Sequence, residues 1–552
     1  MGLLFSSTRW AHDHSLCDCE MYAANRDFDG GDNCKYCSGG DEQEKESVVV
    51  EKPSPTVAEN QLTAVKPPPI TYCPEPRKDD SSTKEGVMFE KLFDQTVELS
   101  RGSDKKLTES EILKAKSFDD LDFPSILAAN IAAAGYSTPT PIQQYAMKVI
   151  AEGKDLIACS PTGSGKTAAF LLPILKQLLR DGVFSGISKS PCMPRALILV
   201  PTRELAIQIH HEATKFATGT FLKCEIFYGG ASVRYQRERI LRGVSVLIGT
   251  TDRIKQFISE GIISLERVKY LVIDEADRMF DTGLHFSEDL RFIMRSGKIL
   301  SRNQRQTLLF SAALPSCVKE RVESSRLLKD DHLMVVVDTV GAANKCIIQN
   351  FVVVSSSSKK AKLLELLLMV RDDMKKYDKS KELEIYKQRT LIFVSRRNIA
   401  DYLGWVLTVN GFSSAIIHAG HEQAQRESAL DDFRLGREPI LIATGVAERG
   451  LDISGLDHVI NFDMPKNIDD YVYRIGRTGR IGNVGHSTSF IDPDKDGPLF
   501  EPLANLLDQA GQIVPFWLDD MKLSFRVKDS EKDSGVSMSY PDSCRNRPRL
   551  TM

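Results

Sequence analysis

"DLIACSPTGSGKTAAFLLP", residues 155–173, runs from an apolar stretch through a glycine-serine loop into an apolar helical pattern. Residues 160–167 fit G-x-x-x-x-G-K-[ST], except that Ser160 stands where the first glycine is usual. Gly163 and Gly165 let the backbone N–H groups of the loop, Thr162 and Ser164 included, wrap phosphate oxygens. Lys166 adds a point charge, and Thr167 supplies a hydroxyl suited to Mg²⁺. A plain Gly-Ser turn before a buried helix is the alternative. The complete T-G-S-G-K-T between strand and helix argues against it.

A second stretch, "KYLVIDEADRM" (269–279), is an apolar strand that ends on Asp274, Glu275 and Asp277. Like charges gathered at a strand end are costly unless a cation compensates them. Ligands in open α/β sheets bind outside the carboxyl ends of the strands. The acids and the phosphate loop are therefore expected on one sheet edge, with Asp274 holding Mg²⁺ through water and Glu275 activating the attacking water.

Around these two stretches, short β-branched runs alternate with helical patterns from about residue 118 to 518: "ALILV", "YLVID", "QTLLFS", then "TLIFV", "ILIAT", "HVINF". That alternation predicts parallel sheets flanked by helices. "LILVPTREL" (197–205) echoes "LIFVSRRNI" (391–399), and "VLIGTTDRI" (246–254) echoes "ILIATGVAERG" (440–450), so two similar α/β domains in tandem are expected. The division is a disordered arm over 1–90, a first domain over 91–337, a linker at 338–345, a second domain over 346–518 and a disordered tail over 519–552. The charged run 371–388 reads as a surface insertion.

The composition, 42% hydrophobic and 27% charged over 552 residues, is that of a soluble globular chain. A net charge of −3 confines any nucleic-acid surface to a local basic track. Eleven scattered cysteines without a leader point to free thiols in a reducing compartment, and the expected localisation is cytoplasmic, with the nucleus open. No apolar run is long enough to span a bilayer. In the arm, Cys17, Cys19, Cys34 and Cys37 offer a candidate zinc set, although unliganded thiols in a flexible segment are the simpler reading. Gly2 lies in an M-G-x-x-x-[ST] acylation pattern that a chance match also explains.

The order of "PTPIQQ" (139–144), "TGSGKT", "PTREL" (201–205), "DEAD" (274–277), "RGLD" (449–452) and "YRIGRTGR" (473–480) resembles that of DEAD-box RNA helicases. The resemblance covers residues from about 90 to 518 and is strongest to the Vasa branch. It implies two RecA-like domains, ATP and Mg²⁺ as cofactors, and RNA bound with little sequence preference. It also implies a monomer that separates short duplexes or remodels RNA–protein complexes; an ATP-gated RNA clamp is the alternative. Protein partners would dock through the arm, and ribonucleoprotein granules are a further implied location.

Carried over by position, Phe118 and Gln143 would read adenine, Asp452 would reach the nucleotide from the second domain, and Arg477 and Arg480 would be its arginine fingers. Arg203, Gly230, Thr250 and Arg253, with Arg396, Thr444 and Arg449, would line the RNA track. Four departures stand out. Ala313 in "SAA" (311–313) lacks the threonine hydroxyl of S-A-T, and Tyr473 replaces the usual histidine. With Ser311, these positions would couple Asp277 to the ATP state. "TTDRI" (250–254) replaces T-P-G-R-L and sets Asp252 beside the track, where its charge should weaken phosphate binding; Glu448 stands near the same track.

Overall fold

The computed structural model describes residues 72–74, 96–102, 105–106, 113–182, 191–281, 286–313, 315–337, 347–377, 388–445, 456–479 and 484–534. The acylation pattern, the four arm cysteines, the linker, Glu448, Arg449, Asp452 and Arg480 lie outside them.

The strands of the first domain are β1 (Val97–Arg101), β2 (Lys105–Lys106), β3 (Leu156–Cys159), β4 (Ala196–Val200), β5 (Cys224–Phe227), β6 (Val246–Thr250), β7 (Tyr270–Ile273), β8 (Gln306–Ser311) and β9 (Leu333–Val337). They pair in the order β2-β1-β9-β3-β8-β7-β4-β6-β5. The second domain contributes β10 (Ile347–Val353), β11 (Thr390–Phe393), β12 (Ser414–Ile417), β13 (Ile440–Ala443), β14 (His458–Asn461) and β15 (Gly485–Ile491), in the order β10-β15-β14-β11-β13-β12.

Overlaying the orders makes the internal echo structural. The run β8-β7-β4-β6-β5 of the first sheet corresponds to β15-β14-β11-β13-β12 of the second, and β3 corresponds to β10. The central strands β3, β4, β6, β8, β11, β13 and β14 are buried at every residue. Helices on both faces of a parallel sheet require that, which is why these runs read as continuously apolar rather than alternating. Antiparallel β1 covers the outer edge of β9.

Local chemistry fixes the helix starts that matter for the site. Thr140 and Gln143 form a reciprocal capping box with Pro141 in the first turn, and Thr202 caps the helix Arg203–Ala217 by accepting from Leu205 N. Asn467 accepts from Asp470 N and starts the helix Ile468–Ile475, which carries Tyr473.

Three expectations need correction. The helix Phe516–Ser534 continues well past residue 518: Leu518 is fully buried, and Trp517, Met521 and Phe525 pack on the core of the second domain. Its polar sequence conceals that apolar face. The run expected as a surface insertion begins inside the helix Lys359–Tyr377, which takes in residues 371–377; residues 378–387 lie outside the described ones. Within the arm, Tyr72–Pro74 is bonded to the folded body, as set out below. No helix of the described residues is long and apolar enough to cross a membrane.

Candidate functional site

The phosphate loop leaves β3 and turns twice through positive φ, at Gly163 (81°) and Gly165 (88°), before the helix Lys166–Arg180. Position 165 admits only glycine, since a Cβ there would collide with Gln143 Nε2. The loop is held from below: Thr140 Oγ1 donates to Ser164 O (2.7 Å), Gln143 Nε2 donates to Gly165 O (3.1 Å), and the Ser160 and Ser164 hydroxyls pair. Gln143 is fully buried and its Oε1 accepts from Thr140 N (3.0 Å), so the amide expected to face a base here braces the loop. Phe118 stands half-buried nearby, its ring 6.4 Å from Tyr136 in an edge-on arrangement.

Lys166 Nζ donates to the loop carbonyls of Ser160 (2.6 Å) and Pro161 (3.0 Å). Burial lowers its pKa against the opposing pull of Asp274, Glu275 and Asp277, which places the ammonium among the acids ending β7. Burial raises Asp274 to about 6. Burial also raises Glu275, to about 7, helped by the Asp277 and Asp274 charges; Arg477 acts in the other direction. Glu275 sits at φ 53°, a left-handed conformation that costs energy in a non-glycine residue. Its Oε2 is enclosed and has no hydrogen-bond partner among the described residues. A basic, unpartnered carboxylate oxygen beside a phosphate loop is suited to taking a proton, and the Asp274–Thr167 edge has the all-oxygen donor set of a Mg²⁺ site.

The two domains meet over this edge. Thr162 Oγ1 donates to Gly476 O (3.2 Å), and Arg477 is 2% exposed, with Nε donating to Tyr473 O (3.4 Å). Tyr473 O–H donates to Asp277 Oδ2 (2.6 Å), and Ser311 Oγ–H donates to Asp277 Oδ1 (2.6 Å). The acid that loses a threonine to Ala313 thus regains a donor from the other domain.

Beside the second contact region, Arg203 donates to Gln423 Oε1 (3.4 Å), and Arg426 pairs with Glu204 (2.6 Å) where both are buried. Gly230, at φ 88°, packs so tightly that a Cβ would lie 2.6 Å from Arg203 Nη1 and 3.0 Å from Gln423 Cβ. Glu204, Gln423 and Arg426 were not singled out in the sequence. Their signal was only a charged or amide residue in the first turn of a helix, which ordinary capping also produces.

The remaining track residues divide. Thr250 is buried at the end of β6 with Oγ1 unpartnered, Thr444 is buried after β13, and Arg396 is exposed. Arg253 does not face solvent: it is 6% exposed and both terminal nitrogens donate to Ala231 O (3.4 Å), so it braces the glycine loop. Asp252 is exposed, and a Cβ on Gly229 would lie 3.0 Å from its Oδ2 and 2.8 Å from Arg203 Nη2. Acid and arginine crowd the same glycine.

One further cluster has metal-ligand composition. Asp401, His418 and His421 bring ligand atoms within 4.8 Å of one another. However, Gly420 N–H donates to His418 Nδ1 (3.1 Å), which puts the ring proton on Nε2, 2.9 Å from Asp401. That nitrogen has no lone pair to give, and hydrogen bonding accounts for the cluster.

The sequence matches the DEAD/DEAH box helicase family over residues 140–321 and the helicase conserved C-terminal domain over 375–482. The chain belongs to the DEAD/DEAH box helicase family. It is 45% identical to the ATP-dependent RNA helicase glh-1 of Caenorhabditis elegans, over 82% of this chain and 58% of the relative. It is 40% identical to the ATP-dependent RNA helicase DDX4 of Mus musculus, over 87% and 66% respectively. The chain therefore spans about three fifths of the length of these relatives. In fold it is similar to S. cerevisiae Dbp5 bound to RNA and ADP BeF3, with a TM-score of 0.60 at 25% identity over 75% of this chain and 99% of that one. Mss116p bound to ssRNA and AMP-PNP gives a TM-score of 0.61 at 25% identity over 77% and 83%. Two RecA-like domains are thus the architecture.

Proposed function

We propose that the chain is an ATP-dependent RNA helicase: it hydrolyses ATP between its domains and uses their closure to separate short RNA duplexes or remodel RNA–protein complexes. The observation that carries this reading is the hydrogen bond of Tyr473, from the second domain, to Asp277 of the first, with Arg477 buried one turn further along. Such an arrangement makes hydrolysis conditional on closure. The Vasa-type and glh relatives, named as ATP-dependent RNA helicases, support it.

In this reading Lys166 leaves the Ser160 and Pro161 carbonyls for the β- and γ-phosphates, which replace them as acceptors. Thr167 and Asp274 would hold Mg²⁺, whose charge would offset that of the phosphates. Glu275 Oε2 accepts the proton of the attacking water as its oxygen bonds to the γ-phosphorus and the bond to ADP breaks. Arg477, with Arg480, stabilises the charge on the transferring group. Phe118 and Gln143 would read the adenine, and Asp452 would reach the nucleotide from the second domain. RNA phosphates and 2′-hydroxyls lie along Arg203, Gly230, Thr250, Arg396, Thr444 and Arg449, with Arg253 holding the loop that carries Gly230.

The test is phosphate release from ATP with and without single-stranded RNA, against a Glu275→Gln blank, beside strand displacement of a short duplex. RNA-stimulated release with displacement is expected. Release equal to the blank in both conditions overturns the enzyme; stimulated release without displacement reduces it to an ATP-gated clamp. Asp252→Asn is expected to tighten RNA binding by about threefold at low salt, and by less as salt screens the charge. An RNA titration at two ionic strengths checks this.

A further inference from the structure

We propose that Tyr72 is a positioning residue for domain closure, making the segment ahead of the first domain a working part of the closed state. The inference rests on the helicase reading above.

Tyr72 touches both domains through different groups. Its carbonyl accepts from Ser232 N (2.8 Å), on the loop that follows β5, and the adjoining Pro74 O accepts from Tyr235 O–H (3.4 Å). Tyr235 is itself held by Arg239, whose Nη1 donates to its hydroxyl (3.0 Å) and whose Nε donates to Glu225 (2.5 Å). These bonds fasten the segment to the first domain by its backbone. The Tyr72 side chain then reaches across, and its O–H donates to Glu427 Oε2 (2.7 Å) on the helix Gln423–Arg434 of the second domain.

Glu427 is where two bonds from the first domain's side converge. Its Oε1 accepts from Tyr228 O–H (3.1 Å) of the first domain and from Gln423 Nε2 (3.0 Å). Burial beside Glu427 pushes the Tyr228 phenol up, so that proton stays available for donation. On the same helix, Gln423 one turn earlier and Arg426 just before it are the partners of Arg203 and Glu204. The Tyr72 hydroxyl thus donates to the second carboxylate oxygen of Glu427, in the row that lays this helix against Arg203 and Gly230. When the domains part, the backbone anchors on Ser232 and Tyr235 persist and the hydroxyl loses its acceptor. A bond made only in the closed state shifts the closing equilibrium without entering the chemistry.

The experiment uses the full chain as native protein, Tyr72→Phe, Glu427→Ala and the pair, with a single-stranded oligouridylate as probe. Phosphate release is followed across an RNA titration and without RNA, and melting temperature is recorded as a check on folding. Tyr72→Phe is expected to raise the RNA concentration for half-maximal stimulation by about tenfold, the scale of a hydrogen bond to a charged acceptor. Maximal turnover and RNA-free turnover should stay within about twofold, because no reacting atom is touched. In the Glu427→Ala background the same change should add less than about twofold. A native half-saturation in Tyr72→Phe overturns the proposal, as does an undiminished effect in the Glu427→Ala background. A native chain that RNA does not stimulate overturns the helicase reading instead.

Discussion

Glu275→Gln is expected to cut ATP turnover by about a thousandfold while nucleotide still binds, since loss of a general base costs roughly 10²–10⁴-fold. The amide matches the carboxylate in shape, sits on the same left-handed backbone and cannot accept the water's proton. Phosphate release against a nucleotide-binding titration reads the split; a fall below about tenfold would move the base elsewhere. The substitution should also stabilise the nucleotide-free protein, with a sign set by pH. Glu275 is raised from 4.5 to about 7 by burial and the neighbouring acids. A carboxyl raised in the folded state contributes stability that is complete below its unfolded value and is lost as pH rises through the folded one. At pH 8 the ionised group therefore weighs against the fold, and glutamine removes that cost. Glu275→Gln should melt above the native protein at pH 8 and lose that advantage near pH 4.5.

What the sequence makes legible is chemistry that is contiguous. The phosphate loop needs Gly163, Gly165, Lys166 and Thr167 within a few residues, and the acids close one strand, so both sites stand in the text. The tandem fold is legible for a similar reason: a parallel sheet covered on both faces leaves uninterrupted apolar runs. The interdomain contacts are written differently. Tyr72 and Glu427 are 355 residues apart, and Glu204 and Gln423 are 219 apart. Each taken alone is an ordinary polar residue, and only the folded chain makes it one of a pair. Arg253 makes the same point from the other side. Its place in the family's motif implies an RNA contact, and only the folded chain shows its side chain turned inward to Ala231. Spacing places a residue on a helix and leaves open which neighbour it meets.

Tyr473→Phe is expected to lower RNA-stimulated turnover at limiting RNA by about 10- to 100-fold, because it removes a donor from a buried carboxylate shared between domains. Asp277 is 6% exposed; the Ser311 hydroxyl reaches it from its own domain, and the Tyr473 hydroxyl reaches it across the interface. The bond therefore scores closure rather than the fold of either half. A phenol, with an ordinary value near 10, keeps its proton between pH 6 and 8, so this contact should be equally strong across that range. Tyr473→His gives it a titration. An imidazole beside Asp277 has its pKa raised in the closed state, so its contribution is complete below about 6.5 and disappears as pH climbs through the raised value. The ratio of RNA affinity in Tyr473→His to that of the native chain should fall from pH 6 to pH 8; a flat ratio would mean that the residue at 473 does not engage Asp277 in solution. Restoring the hydroxyl as well, in Ala313→Thr with Tyr473→His, should raise duplex separated per ATP. If it does not, Tyr473 already performs the coupling alone, and the paired departures from the family are one substitution compensating for the other.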